Sequence, residues 1–497
     1  MNRGLRKLAV AALALFLLLL ANATRIQVVD ARSIDHLQSN PRPRLTALTT
    51  HRGDIRLADG TLVAHSERAP GAGPNVPYQR SYPLGSLMAP ITGWAGVVST
   101  RGIEQSEDDL LSGNDDRLAI RNFTDTLLNK EKIGGFVTLS IDRRAQQAGY
   151  DALQKAVGPG GRGALVALDV KTGAVLALVS LPSYDPTPLA GTDGAKVQAA
   201  YNTLNNDEAQ PLLDRATQRA YHPGSVFKLV DSAAALASGR YDTTTLIPSP
   251  DRLALPLTSS AVTNFSGESC GGAMITIAQA LKVSCNTAFA GLGVALGQDA
   301  LRQQAQAFGW GTTPAGFPLP AAPSTFPTML NAPQTAFSAL GQFSVDATPL
   351  QIAMLVQAIA DGGSELAPYL VAEEDQPNGS VLTTATPKVL GQPMSSADAA
   401  TLTQLMLGPT GPGGTAPTTS SDVGVPVAGK TGTAQNVPGQ PPHAWFAGFA
   451  PADAPQVAVA VVVEAGGSLS SEATGGAVSA PVAVAVLKAA LADRGKP

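Results

Sequence analysis

The chain opens with a continuous run of apolar positions from Leu8 to Ala21, and basic residues precede it. These basic residues are Arg3, Arg6 and Lys7. A positive flank before an apolar run is typical of an export signal, with the positive side kept in the cytoplasm. Two interpretations stay open: a signal peptide cleaved near Ala21-Asn22-Ala23, or a short membrane span over residues 5–23. Either one places the bulk of the chain outside the cytoplasm.

Further along, nearly continuous apolar segments predict buried strands in two distant places. Segments 164–168 and 174–179 flank the turn-forming stretch 169–173, so they predict a hairpin covered on both faces. Near the carboxyl end, the same kind of pattern predicts three more strands, over 425–435, 443–451 and 456–464.

Helical patterns fill the region between these strands. Apolar positions at helical spacing predict helices over 142–157, from near Ser225 to 236, and over 273–282, 288–296, 348–360, 402–407 and 479–491. Residues 311–334 and 408–421 are rich in breakers or polar residues, which predicts loops. Strands at both ends with helices between them predict an α+β fold, an antiparallel sheet sandwiched by helices.

The region before this fold has a different pattern. Residues 25–160 mix short alternating segments with turn signals, and 51–55 with 60–64 predict a hairpin. The glycine-rich stretch 158–161 then predicts a boundary. We therefore expect three parts, over residues 1–24, 25–160 and 161–497.

Charge and composition exclude several classes of function. A formal net charge of −4 over 497 residues argues against nucleic acid as a partner. An acidic cluster lacks the spacing of a calcium-binding loop and is predicted to be a solvated face. Its members are Glu107, Asp108, Asp109, Asp115 and Asp116. The five histidines are scattered, so we expect no metal site and no cofactor.

The two cysteines lie in the exported part of the chain, where a disulfide persists. Cys270 and Cys285 are either bonded, closing a modest loop, or two small buried hydrophobic residues.

The chemistry begins at Ser225-x-x-Lys228, which follows the helix-starting pair Pro223-Gly224. Side chains three positions apart are neighbours on a helix, so the hydroxyl and the amine can meet. Apolar neighbours of Lys228 lower its pKa, and a neutral amine beside a serine is a base beside a nucleophile. The alternative is a capping serine and a lysine that extends to solvent.

Two further motifs follow in order, Ser284-x-Asn286 and Lys430-Thr431-Gly432, starting 59 and 146 positions after the preceding motif. This set is typical of penicillin-binding proteins and serine β-lactamases. We assign Ser225 as nucleophile and Lys228 as base. Ser284 is assigned as the proton relay, and Asn286 holds the substrate and the base. Lys430, with Thr431 and Thr433, binds a terminal carboxylate. Gly432 lets the substrate approach the strand closely.

With these motifs, the chain resembles the class B penicillin-binding proteins, and within them the actinobacterial penicillin-binding protein A group. The resemblance extends over nearly the whole exported chain. Further matching stretches are Asp169-Val170-Lys171-Thr172-Gly173, Pro182-Ser183-Tyr184-Asp185-Pro186, Thr348-Pro349-Leu350-Gln351, Trp445-Phe446-Ala447-Gly448-Phe449-Ala450-Pro451, Arg52-Gly53-Asp54-Ile55 and Gly102-Ile103-Glu104.

The resemblance implies a D,D-transpeptidase that cross-links peptidoglycan stem peptides through a serine acyl-enzyme during cell division, and that β-lactams acylate. It implies an uncleaved anchor over 1–24, a mostly β, non-catalytic and dimerisation-like pedestal over 25–160, and a transpeptidase domain over 161–497 outside the cell membrane. Expected partners are stem peptides, β-lactams, the membrane, division-complex proteins and a separate glycan polymerase.

The sequence departs from the family in Gly341-Gln342-Phe343, where Phe343 replaces an expected glycine. The amino-terminal part lacks the paired acids of a glycosyltransferase. Three alternatives stay open: a D,D-carboxypeptidase, a serine β-lactamase, and a non-enzymatic β-lactam sensor or division scaffold. No Glu-x-x-x-Asn pattern is suitably placed for a lactamase, and only about seven residues precede the apolar run, which disfavours a sensor.

Overall fold

The structure is a computed structural model that describes residues 3–30, 34, 50–69, 78–128, 130–435, 439–492 and 494. Parts of the predicted pedestal, residues 31–33, 35–49, 70–77 and 129, lie outside the described residues.

The strands of the described residues are β1 (Ile55–Leu57), β2 (Leu62–Arg68), β3 (Tyr78–Ser81), β4 (Trp94–Ala95), β5 (Thr100–Arg101), β6 (Phe136–Leu139), β7 (Gly163–Asp169), β8 (Val175–Leu181), β9 (Leu246–Pro248), β10 (Arg252–Ala254), β11 (Ala261–Thr263), β12 (Met274–Thr276), β13 (Glu365–Leu366), β14 (Val371–Asp375), β15 (Val381–Thr384), β16 (Val389–Gly391), β17 (Ala428–Ala434), β18 (His443–Ala450) and β19 (Val457–Val463).

The α-helices are α1 (Arg3–Thr24), α2 (Ala89–Thr92), α3 (Ile103–Ser106), α4 (Asp108–Leu111), α5 (Ala119–Leu127), α6 (Arg143–Val157), α7 (Gly194–Asn205), α8 (Lys228–Ala237), α9 (Ile277–Lys282), α10 (Asn286–Leu296), α11 (Gln298–Ala307), α12 (Ala332–Ser338), α13 (Pro349–Ala360), α14 (Ser396–Thr410), α15 (Thr419–Val423) and α16 (Ala480–Leu491).

A five-stranded antiparallel sheet in the order β17-β18-β19-β7-β8 forms the centre of the carboxyl-terminal part. All seven residues of β19 are buried, because alternate side chains enter cores on opposite faces. Helices α6 and α16 cover one face, and α13 covers the other. The predicted α+β fold, an antiparallel sheet between helices, is confirmed. Strand β17 lies at the edge of this sheet, so only one of its sides pairs with another strand of the sheet.

A second sheet has the order β15-β14-β6-β1-β2-β3 and joins the two parts of the chain. The predicted hairpin of the amino-terminal part is present as β1 and β2, which pair antiparallel. Strands β14 and β15 come from the carboxyl-terminal part, and β14 pairs with β6. The domain boundary near residue 160 therefore stays a prediction, since one sheet extends across it.

Buried charges hold the amino-terminal part together. Arg52 and Arg80 donate to the two oxygens of Glu104 at 2.5 and 2.6 Å, and all three residues are buried. A cluster of buried charges is stable only when every charge is paired, so removal of one partner strongly lowers the free energy of unfolding. Asp108, a member of the predicted solvated face, pairs with Arg52 at 2.5 Å and keeps a side chain that is 41% exposed.

Several predicted boundaries are wrong. The predicted helix over 273–282 begins as strand β12, whose Ile275 pairs with Ile247 of β9, and α9 starts only after the capping residue Thr276. The helix predicted over 402–407 extends over Ser396–Thr410 because Ser395 caps it by accepting from the Asp398 N–H. Helix α15 occupies part of the predicted loop 408–421.

The apolar run at the amino terminus forms helix α1, which is exposed along its length. An 18-residue stretch within Arg3–Gln27 has a mean hydropathy of 2.1, and the helix is long enough to cross a membrane. A signal sequence has the same length and composition.

Candidate active site

The predicted nucleophile lies on a tight turn before a buried helix. Residues Gly224–Val226 form a 3₁₀ turn, and α8 begins at Lys228, three residues later than predicted. Gly224 has a φ of +52° and donates its N–H to the Gly341 oxygen at 3.0 Å. A side chain on Gly341 would place a Cβ 2.2 Å from the Gly224 oxygen. Glycine at 341 therefore lets this loop support the turn that carries Ser225.

Lys228 is fully buried, and it contacts the second motif. Its Nζ donates to the Ser284 carbonyl at 2.8 Å, the Asn286 Oδ1 at 2.8 Å and the Ser284 Oγ at 3.3 Å. Burial lowers the pKa of Lys228 well below its usual value, and the charge of Lys430 lowers it further. The alternative of a lysine that extends to solvent is excluded by this burial.

Ser284 lies between the two lysines. Its Oγ accepts from the Lys430 Nζ at 2.8 Å as well as from Lys228, and its backbone has a φ of +58°. A non-glycine residue in this conformation is strained and is typical of a functional position. The next residue, Cys285, is bonded to Cys270, so the disulfide closes next to this strained serine.

Asn286 is held from two sides. Its Oδ1 faces Lys228, and its Nδ2 donates to the Thr263 carbonyl at 3.2 Å. The side chain of Asn264 accepts from the backbone N–H groups of residues 286 and 287 at 3.0 and 3.1 Å. No sequence pattern marks Asn264, because its role depends on a contact between segments more than twenty residues apart.

Lys430 projects from the edge strand β17 and is also fully buried. Burial lowers the pKa of Lys430 to about 7. Beside it, the Thr431 hydroxyl contacts the Thr415 hydroxyl at 2.6 Å, a partner that the sequence analysis did not find. A Cβ on Gly432 would lie 2.8 Å from the Pro223 oxygen, so glycine lets β17 approach the nucleophile turn.

Two cavities meet at the serine. One has a volume of about 900 Å³ and the other about 390 Å³, and Ser225, Asn286 and Thr433 line both. The smaller cavity also contains Ser284 and Thr431. The structure therefore brings residues of all three predicted motifs to one open groove along an edge strand.

A buried acid that the sequence analysis did not find lies one helical turn beyond Lys228. Asp231 is fully buried, and neither carboxyl oxygen has a hydrogen-bond partner in the described structure. Burial raises the pKa of Asp231 well above its usual value, against the opposing effect of Lys228. This raised pKa favours the neutral carboxyl group, while the carboxylate form raises the pKa of Lys228.

Comparison with known proteins gives matches over most of the chain. Residues 163–488 match the penicillin-binding protein transpeptidase domain, and residues 52–137 match the penicillin-binding protein A dimerisation domain. The peptidoglycan D,D-transpeptidase PbpA of Mycolicibacterium smegmatis is 41% identical over 99% of this chain and 100% of its own. The PbpA of Mycobacterium tuberculosis is 39% identical, with 99% of each chain covered.

Solved structures give the same result. A ceftriaxone acyl-enzyme complex of penicillin-binding protein A from M. tuberculosis superposes with a TM-score of 0.85 at 38% identity. The match covers 90% of this chain and 100% of that one.

Proposed function

Because the chain belongs to the class B penicillin-binding proteins and is similar to mycobacterial PbpA, we propose that it is a serine-type peptidoglycan D,D-transpeptidase. The observation that carries this proposal is the convergence of three motifs on one hydroxyl. The Nζ atoms of Lys228 and Lys430 both lie within 3.3 Å of the Ser284 Oγ, and Ser284 lines the small cavity together with Ser225.

In the proposed acylation, the Ser225 Oγ attacks the carbonyl carbon of the penultimate residue of a stem peptide. Lys228, neutral because it is buried, takes the hydroxyl proton, and Ser284 passes a proton to the departing amine of the last residue. The new O–C bond replaces the C–N bond, and the terminal amino acid leaves. In the second step, the amine of another stem peptide attacks the ester, the Ser225 oxygen regains a proton, and the cross-link is complete.

The edge position of β17 supports binding of the substrate as an added strand. An extended peptide can pair with the outer side of β17 as an added strand, since β18 occupies only the inner side. The terminal carboxylate then lies near Lys430, Thr431 and Thr433. The backbone N–H groups of Ser225 and Thr433 are proposed to bind the developing oxyanion.

We also propose the cellular setting. Helix α1 is assigned as a single-pass anchor over residues 1–24, with a pedestal over 25–160 and a transpeptidase domain over 161–497 outside the membrane. The protein acts in cell division, together with division-complex proteins and a separate glycan polymerase.

The nucleophile assignment is tested with a labelled penicillin and the intact protein. We expect one label per chain, located on Ser225 by mass spectrometry. Ser225→Ala should abolish labelling while circular dichroism and the unfolding midpoint stay those of the wild type, because a half-buried hydroxyl contributes little to packing. Lys228→Ala should also lose labelling, whereas Lys430→Ala should mainly weaken recognition of the carboxylate. Labelling of a folded Ser225→Ala variant would contradict the assignment.

Transfer is separated from hydrolysis by product analysis. With a peptide donor and an acceptor amine, a transpeptidase gives the aminolysis product. Release of the hydrolysed donor alone would indicate a carboxypeptidase, and rapid turnover of the penicilloyl-enzyme would indicate a lactamase.

A further inference from the structure

The two cavities at the serine contain one charged side chain among the described residues that line them, that of Glu268. Glu268 lines the small cavity, of about 390 Å³, together with Ser225, and it is exposed. Within the part of the chain that the structure describes, its carboxylate takes part in no ion pair. The reaction proposed above gives Glu268 no role. An unpaired carboxylate at this place attracts a cation toward the nucleophile.

A short turn fixes the backbone of Glu268 relative to the second motif. Glu268 donates its N–H to the Phe265 carbonyl at 3.0 Å, and its own carbonyl accepts from the Asn264 Nδ2 at 3.1 Å. The Oδ1 of the same Asn264 accepts the backbone N–H of Asn286 at 3.0 Å. One side chain therefore joins the turn that carries Glu268 to the helix start that carries Asn286.

A disulfide holds the other end of this turn. Cys270, two residues after Glu268, is bonded to Cys285, and their Cα atoms are 5.8 Å apart. Cys285 directly follows Ser284, the proposed proton relay. The Cys270 carbonyl also accepts from the Gln279 Nε2 at 3.2 Å. Because the turn is linked to the second motif at both ends, the backbone of Glu268 keeps its position beside the small cavity.

The second step of the proposed reaction indicates which cation enters this cavity. In acylation, the terminal residue of the donor lies beside Thr431 and Thr433, which both line the small cavity, and its amine leaves the carbonyl carbon there. Attack by a new amine on the acyl-enzyme is the reverse of that departure, so the new amine approaches from the same side. An aliphatic amine is a cation near pH 7. A cation therefore enters the small cavity once the terminal residue has left.

The same turn also presents an apolar surface. Phe265 lines both cavities, and it is 59% exposed. An aromatic ring buries the methylene groups of a ligand and attracts an ammonium group to its face. With Glu268 three residues further on, the turn combines an apolar surface with a negative charge, which matches a long aliphatic amine.

We propose that Glu268 is a specificity-determining residue for the acceptor. Its carboxylate binds the ammonium group of an aliphatic amine that enters the small cavity, and Phe265 packs against the methylene groups. This role rests on the proposed transpeptidase function, and it concerns binding only. In the step that follows, an N–C bond replaces the O–C bond of the ester. One proton of the amine goes to the Ser225 oxygen, and another leaves to solvent through Ser284 and Lys228.

The test measures how the acyl-enzyme of the full-length protein divides between aminolysis and hydrolysis. An N-acyl-D-alanine thioester supplies the acyl group, and the acceptor at pH 8 is 1-aminopentane, a cation, or hydroxylamine, which is uncharged. We expect Glu268→Gln to lower the ratio of amide to hydrolysed donor about fivefold with 1-aminopentane and to leave the ratio with hydroxylamine unchanged. Glu268→Asp should restore part of the loss. Added salt, about 0.5 M NaCl, should reduce the difference between wild type and Glu268→Gln.

Acylation by penicillin separates the charge of Glu268 from a structural role. Penicillin is an anion, so Glu268→Gln should be labelled at least as fast as the wild type. Loss of labelling together with transfer would assign Glu268 a structural role and overturn the proposal. The matched control is Glu208→Gln, which removes an exposed carboxylate that lines neither cavity at the serine and should keep the wild-type ratio.

Two further outcomes would overturn the role of Glu268 alone. These are a wild-type ratio in Glu268→Gln with 1-aminopentane, and a wild type that transfers to hydroxylamine but not to 1-aminopentane. Hydrolysis alone with both acceptors, or failure of penicillin to label the wild type, would instead overturn the proposed function, and the role of Glu268 with it.

Discussion

At the scale of single residues, two buried lysines share one serine hydroxyl, and their proposed roles need opposite charge states. As the proposed base, Lys228 must be neutral, whereas Lys430 must be charged to attract a carboxylate. Burial lowers the pKa of both, and the two charges repel across Ser284. The pair therefore works with about one proton between them, which limits the pH range of activity.

This arrangement predicts a bell-shaped pH profile for acylation by penicillin. The value of kcat/KM should rise with pH as Lys228 loses its proton, and fall again above pH about 7 as Lys430 loses its own. Stopped-flow labelling across pH 5–9 measures the profile. A penicillin whose carboxylate is esterified has no need of the Lys430 charge, so its profile should lack the alkaline decrease. The same decrease with the ester would contradict the role of Lys430.

A second residue-scale prediction concerns Asp231. Because the pKa of Asp231 is raised, the native state keeps a proton that the unfolded chain releases above pH about 3.8. The contribution of this residue to the free energy of unfolding therefore decreases as pH rises. Asp231→Leu removes a buried carboxyl without partners, and we expect it to increase the free energy of unfolding at pH 8 by about 1–3 kcal/mol. The gain should be smaller at pH 4. Urea unfolding at both pH values measures it.

Two controls accompany the Asp231 variant. Asp242→Asn removes a fully exposed carboxylate whose pKa is lowered to about 2 by hydrogen bonds from Thr244 and Thr245, so its effect should have the opposite sign. Because the raised pKa of Asp231 favours its neutral form, we expect the acid side of the acylation profile to move little in Asp231→Leu. A shift of the acid side to lower pH would mean that Asp231 is ionised and raises the pKa of Lys228.

At the scale of elements, the loop 341–343 supports the nucleophile turn through backbone contacts. Gly341 and Phe343 have φ values of +65° and +64°, so the expected second glycine is replaced by a residue that is strained there. Phe343 is 45% exposed, so its side chain contributes little packing to offset that strain.

We therefore predict that Phe343→Gly increases the free energy of unfolding by about 0.5–1 kcal/mol, with labelling by penicillin kept. Gly341→Ala is the matched opposite change, since its Cβ meets the Gly224 oxygen and the turn must move. That variant should lose at least about 1 kcal/mol of stability and label at least about ten times more slowly. Chemical unfolding and labelling rates measure both. Equal labelling by Gly341→Ala and the wild type would show that the loop does not position Ser225.

At the scale of the whole molecule, the catalytic groove and the amino-terminal helix are separate structures. Helix α1 has no buried residues, while the groove lies between the central sheet and helices that follow residue 220. The proposed anchor therefore contributes nothing to the geometry of the site in the described part of the chain.

Removal of residues 1–30 should accordingly release a soluble protein that penicillin labels at a rate within about twofold of the full chain. The full chain should stay in the membrane fraction after an alkaline carbonate wash, because about twenty apolar residues insert stably. Cell fractionation and intact mass measure this. A full-length gene product found soluble, with a mass that starts near residue 24, would identify a cleaved signal peptide instead.

The sequence by itself indicated the reactive groups and determined the class of fold. Ser225, Lys228, Ser284, Asn286 and Lys430 were predicted from short motifs, because each motif combines a reactive group with a local structure that presents it. Continuous apolar strands likewise specify a sheet covered on both faces, since every position there is buried. The membership in the class B penicillin-binding proteins followed from these residues in their order.

The tertiary structure decided what depends on contacts between distant segments. Strand β12 is a strand because β9 pairs with it, and no local pattern carries that information. Asn264 and Thr415 have their contacts only because folding brings separate segments together. The shifted pKa values of Lys228, Asp231 and Lys430 follow mainly from burial, which is a property of the packed fold. Sequence spacing names the reactive groups, and long-range packing sets their pKa values and partners.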